Sequence, residues 1–138
     1  MIFDDVRGCL ERDGWPVEVL SGATMRTRFR GKAKVFHVFA HLEGEFVAFA
    51  VIPYSRLPED DGPGADAVVE RLLRLNRDMN MAKFSIDEER DVVLSVEYRL
   101  QDLDPSEVRD AIDVLSFYAD KFTVEVEGLV RAADVQSG

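Results

Sequence analysis

The sequence predicts an α+β domain with elements in the order α-β-β-β-α-β-β-α and an antiparallel sheet packed with helices. Three observations lead there. Stretches of period-two hydrophobicity are joined by links short enough for antiparallel neighbours. Stretches of helical period interrupt these strands rather than alternating with them one for one, so the pattern of a doubly wound parallel sheet is absent. An Asp-Pro-Ser-Glu run at residues 104–107 gives the clearest helix start in the chain. A length of 138 residues suits one domain, and a 46% hydrophobic composition is enough for a sizeable core. Residues 1–130 are expected to form that domain and residues 131–138 a flexible C-terminal tail.

Phe3, Val6 and Leu10 follow helical spacing, and Asp4 and Asp5 suit the positive end of the helix dipole. Gly14 and Pro16 end this first helix, and Val17 to Leu20 extend briefly before the Ser21-Gly22 turn. Over residues 24–30, Met25, Thr27 and Phe29 point one way and Arg26, Arg28 and Arg30 the other, which is the pattern of a half-buried strand. A turn at Gly31-Lys32 leads to a second strand over about 33–43, apolar on both faces. After Glu43-Gly44-Glu45, the run Phe46 to Ile52 has no polar side chain. Pro53 is expected to end it, and its two apolar faces imply cover on both sides. The Pro- and Gly-rich stretch 53–64 reads as a loop within one domain.

A helix over about 65–79 carries an apolar stripe of Ala65, Val68, Val69, Leu72, Leu73 and Met79. The hairpin that follows pairs 82–86 with 92–99, each strand apolar inward and polar outward, as in a sheet with one wet face. The last helix repeats Val108, Ile112, Leu115, Ala119, Phe122, Val126 and Leu129 at 4-3 spacing. That is either an amphipathic helix on a sheet or, in addition, a seam against another helix. A short strand beginning at Thr123–Val126 is the competing local pattern. The seam runs about 33 Å at 1.5 Å per residue, longer than the strands beneath it, so part of it is expected to meet a second chain. An isologous homodimer is the commonest solution.

Charge and composition remove several classes of function. Twenty-seven acidic against 17 basic residues give a formal net charge of -10, which argues against binding nucleic acid or an anionic membrane. No apolar run is long enough for a membrane span, and the acidic start lacks a basic secretory leader, so the expected location is cytoplasmic. The one cysteine, Cys9, has no cysteine partner and reads as a packed thiol. His37 and His41 lie about 13 Å apart along a strand, too far to share one metal ion. Phosphate loops, dinucleotide fingerprints and nucleophile elbows are absent. The chain is therefore expected to be non-enzymatic, with no catalytic residue, metal or cofactor.

Two features stand out as candidate sites. Arg26, Arg28, Arg30, Lys32 and Lys34 share parity and form a basic stripe. It is either the charged outer face of an edge strand or a contact for a small anion or an acidic partner. Asn76 interrupts an apolar helical stripe, where a buried amide needs partners. It is expected to bond a backbone group of the sheet or helix end, or else to fix an interface. Val108, Ile112, Leu115 and Phe122 are the structural or interface residues of the last helix.

Three segments together resemble the YbjN-like family of bacterial sensory-transduction regulators. They are Leu72-Leu73-Arg74-Leu75-Asn76-Arg77-Asp78-Met79, Ala82-Lys83-Phe84-Ser85-Ile86-Asp87 and Val92-Val93-Leu94-Ser95-Val96, with a long helix ending in Tyr118-Ala119-Asp120-Lys121-Phe122. Asn76 matches the Leu-Asn signature. The resemblance implies the fold of class I type III secretion chaperones, which are small, acidic, dimeric proteins that bind partner chains. It supplies no catalytic residues. The expectation is a homodimeric, chaperone-like or regulatory module that binds a client polypeptide. The alternative is a signalling regulator that binds an anionic ligand or acidic partner through the stripe.

Overall fold

The computed structural model describes residues 1–137. Its elements are α1 (Phe3–Arg12), β1 (Glu18–Val19), β2 (Thr24–Arg30), β3 (Val35–Glu43), β4 (Phe46–Arg56), α2 (Pro63–Asp78), β5 (Lys83–Ile86), β6 (Asp91–Arg99) and α3 (Pro105–Ser137). The predicted α+β order holds, with the two-residue β1 added beside β2. The six strands form one antiparallel sheet in the order β1-β2-β3-β4-β6-β5.

The core lies on one face of this sheet. Met25 and Phe29, Phe36 and Val38, Val47 and Phe49, Leu94 and Val96, and Phe84 all point into it. Val6 and Leu10 of α1, Val68, Leu72 and Leu75 of α2, and Val108, Ile112, Leu115 and Phe122 of α3 close it from above. All three helices thus serve the same face, each through the apolar stripe its spacing dictates. The start of α3 is the predicted cap. Asp104 Oδ1 accepts the Ser106 N–H at 2.9 Å, and Glu107 Oε1 accepts the Asp104 N–H at 3.1 Å.

Four expectations need correction. First, β4 does not end at Pro53. Proline has no N–H to donate, and the pairing with β6 shifts between Val51 and Ser55 before the strand resumes to Arg56. The shift reverses the strand's parity and carries Tyr54 to the core side, where its hydroxyl donates to the Ala119 carbonyl at 2.8 Å. Second, the chain's own helices supply the expected cover of β4 on one face alone. Third, β6 does not have the wet face of an ordinary amphipathic strand. Val93 and Ser95 are buried because they are small and sit between two neighbouring strands.

The fourth concerns the end of α3. It is the one long helix of the main reading, 33 residues without the competing strand at Thr123–Val126, and it continues to Ser137, through most of the stretch expected to form a tail. Gly138 lies outside the described residues. The seam residues Val108, Ile112, Leu115 and Phe122 are all spent on the chain's own core. Beyond the sheet, α3 continues against α2: Arg71 pairs with Glu125, and Gly64 lies so close to Ala133 that a Cβ there would meet its Cβ at 2.7 Å. The seam's length therefore does not call for a second chain.

Candidate functional site

The outer sheet face is the largest feature the helices leave unused. Strand register places its residues in rows. Arg26, Phe39, Ala50, Ser95 and Lys83 form one continuous row across five strands. Thr24, His41, Ala48 and Glu97 form the next. Arg28 and His37 are partners on the other side, followed by Arg30 and Val35. The middle of the face is apolar: Phe39, Ala48, Ala50, Ile52 and Val93, with Phe46 beyond them and 40% exposed. The outermost long strand supplies arginine, and the far edge supplies Lys83.

The basic stripe is only partly assembled. Arg26, Arg28 and Arg30 stand in one column of β2 on this outer face, with Arg26 paired to Glu18. Lys32 and Lys34 leave the column in the β2–β3 turn. The Lys32 N–H donates to Asp120 Oδ1 at 2.9 Å, and the Lys34 ammonium pairs with Glu127 of α3. The parity argument holds along a strand and fails at a turn, where the chain changes direction.

Asn76 has found backbone partners. Its amide nitrogen donates to the Phe84 carbonyl at 3.0 Å, and its amide oxygen accepts the Phe84 N–H at 2.6 Å. Phe84 lies on β5, the last strand of the sheet. A carboxamide has the donor and acceptor of a peptide unit, so Asn76 stands where the next strand would be.

The remaining candidates are less eventful. His37 and His41 are exposed on the outer face, and His41 Nδ1 lies 2.7 Å from Thr24 Oγ1. Cys9 is buried beside Arg12, whose guanidinium donates to its sulfur at 3.4 Å. Among the described residues, no three His, Cys, Asp or Glu side chains gather as a metal site, and no helix is long and apolar enough to cross a membrane. Burial holds the Tyr54 hydroxyl well above its ordinary pKa, with Glu127 and Asp120 adding to the shift. That hydroxyl is a fixed donor to a helix carbonyl at neutral pH.

The outer-face residues Phe39, Phe46, Ala48, Ala50, Ile52 and Val93 went unnamed as a site in the sequence reading. Their signal was present as the second apolar face of the two central strands. That pattern implies cover on the face without saying what supplies it, so it singles out no residue there.

Residues 30–131 match a family model described as T3SS (YopN, CesT) and YbjN peptide-binding chaperone 1. Among solved structures, a chain of the heterodimeric ExoU-SpcU complex from the type III secretion system of Pseudomonas aeruginosa is similar in fold. The TM-score is 0.57 at 20% identity, over 89% of this chain and 95% of that one. No curated protein sequence matches.

Proposed function

Because the chain belongs to the family of T3SS (YopN, CesT) and YbjN peptide-binding chaperones, we propose that it is a non-enzymatic, cytoplasmic module that holds a client polypeptide and acts as a homodimer. One observation carries this reading. The sheet has a helix-free face whose centre is apolar, with Arg26, Arg28 and Arg30 along its β2 side and Glu43 and Glu97 at its other end. Contiguous apolar surface on a folded chain marks a place where another chain sits. An extended or helical client would lay apolar side chains on Phe39, Ala50 and Ile52, and acidic ones beside Arg26, Arg28 and Arg30.

A second group of exposed apolar side chains lies elsewhere. Leu73 on α2, Met81 in the following turn, and Phe117 and Val124 on α3 are all more than half exposed. Two separate groups suit two kinds of association, the client on the sheet and a second copy against the helices. The column of three arginines favours a narrower form of the alternative, in which an anionic ligand or acidic partner is held by charge alone.

Capture of partners by the tagged protein from its own cell extract, at low and high salt, separates the two readings. A polypeptide retained at both salts and lost in the Phe39→Asp/Ile52→Asp double variant supports the client reading. Release of every partner at high salt supports the arginine column. Retention of the same polypeptide by the double variant removes the sheet face as the site. Light scattering at micromolar concentration should give twice the chain mass; a monomer's mass removes the homodimer.

A further inference from the structure

Three arginines stand at alternate positions of β2, in a chain whose net charge is -10. Arg26 is answered by Glu18 on β1. Among the described residues, the side chains of Arg28 and Arg30 form no hydrogen bond or ion pair, and neither does that of His37 on β3. The ladder brings Arg28 and His37 together. The Gly31 N–H donates to the Lys34 carbonyl and the Leu42 N–H to the Ala23 carbonyl, which sets the alternation along β2 and β3. Hydrogen-bonded pairs fall on the odd-numbered residues of β2. Arg28↔His37 is therefore a non-hydrogen-bonded pair, the kind that holds side chains closest. Both project from the outer face, near enough for their tips to meet on one group.

The same alternation turns the Arg28 N–H away from β3, toward the edge of the sheet. β1 stops at Glu18↔Arg26, and no backbone hydrogen bond joins Arg28 to Pro16, the residue next in line to stand opposite it. A hollow of about 150 Å³ lies here, with Pro16 to Glu18 on one side and Arg26, Arg28 and His37 on the other. It has half the roughly 300 Å³ at which ligand pockets begin, so it takes a single functional group and not a whole organic ligand. Glu18 is the one carboxylate in its lining, and Arg26 holds it. The charge left over is that of Arg28, with Arg30 one step along the column.

We propose that Arg28 and His37 seat a phosphate group at this hollow, either the free ion or the end of a monoester. This rests on the narrower reading of the arginine column and gives its anion a seat and a chemistry. Three donors serve the hollow from different directions: the Arg28 guanidinium, the His37 ring and the Arg28 backbone N–H, with the Arg30 guanidinium flanking them. A carboxylate is satisfied by one arginine lying in its own plane. A tetrahedral phosphate carries more charge and takes donors from several sides, which is what a guanidinium, an imidazole and a backbone amide supply together. Arg28 and His37 are both exposed, so the site is open outward and the esterified part of a ligand has room outside it.

The test is an ¹⁵N NMR titration of the full chain, at constant ionic strength, with sodium phosphate, N-acetyl-O-phosphoserine amide and sodium acetate. At least one of the two phosphates should shift the Arg28 and His37 amides to saturation. Acetate should bind about tenfold more weakly or worse, since a charge-assisted hydrogen bond is lost. Arg28→Gln and His37→Gln are exposed substitutions that should leave the protein folded and weaken phosphate binding several-fold. Arg74→Gln, on the exposed side of α2, should leave it unchanged. Tighter binding of the phosphoserine compound assigns the monoester, and equal or tighter binding of phosphate assigns the free ion. Acetate binding as tightly as either phosphate overturns the proposal. So do shifts spread evenly over the Arg74 and Arg99 amides, unchanged binding by the Arg28 variant, or no shift at all. Each of these leaves the arginine column free to hold an acidic partner by charge, and the salt-dependent capture experiment judges that reading separately.

Discussion

Two residues show how single polar groups hold this fold in place. Asn76 satisfies both the N–H and the carbonyl of Phe84 on the edge strand. Asn76→Ala leaves both groups without a protein partner and should cost about 1–3 kcal/mol. It also uncovers a strand edge that other chains can pair with. The expected result is a lower melting temperature with increased light scattering; an unchanged melting curve removes the structural role. Tyr54 works from inside. Tyr54→Phe loses a buried hydrogen bond to Ala119 and should cost about 0.5–1.5 kcal/mol at neutral pH. Its pKa is raised in the folded state, chiefly by burial. The unfolded chain releases this proton near pH 10 while the folded chain keeps it, so the contribution is intact below about pH 10 and lost as pH rises further. Thermal melts across that range should show a decline in the wild type that Tyr54→Phe partly removes.

At the scale of elements, α3 is set by its two ends. Asp104 has its pKa lowered, mainly by the hydrogen bond from the Ser106 backbone and then by its side chain. A lowered folded pKa contributes stability above about pH 4 that is lost as pH falls through the folded value. Asp104→Ala should therefore lower the melting temperature at neutral pH, and the gap to wild type should narrow in acid. Near the other end, Gly64→Val would drive a side chain into Ala133 and separate α2 from α3, which a loss of melting temperature would report. The sequence made the capped end legible, because Asp-Pro-Ser-Glu is a local signal with a local cause. It left the far end illegible, because there α3 packs on α2, with Ala133 against Gly64, and that contact is tertiary. Pro53 misled for the same reason. A missing N–H predicts a break in pairing, and β4 absorbed the break as a register shift within the strand. Arg26, Arg28 and Arg30 were readable as one column because strand parity is local, whereas Lys32 and Lys34 left it at a turn. Asn76 was readable as an amide in need of partners, but Phe84 as its partner was not.

For the whole molecule, the decisive asymmetry is that three helices share one side of a six-stranded sheet. An apolar face with no layer over it costs solubility unless something covers it, and small side chains limit that cost here: Ala48, Ala50, Val93 and Ser95 make the centre shallow. Phe39 and Ile52 are the larger groups that give it affinity for another chain. Because they lie opposite the core, substituting them should separate binding from folding. Phe39 and Ile52 are partly exposed on the face opposite the core, so Phe39→Asp and Ile52→Asp should leave the protein folded, with a fall in melting temperature smaller than that of a substitution in the core such as Phe49→Asp. Client retention should be lost at every salt concentration, because apolar contact is removed and a like charge is set against an acidic partner segment. Reversing Arg26, Arg28 and Arg30 to Glu should behave differently. It removes steering charge at the border, so retention should weaken most at low salt and converge with wild type as salt rises. If the arginine reversal abolishes retention at high salt as completely as the Phe39/Ile52 pair does, the face works by charge rather than by apolar contact, and the anionic-partner reading takes precedence.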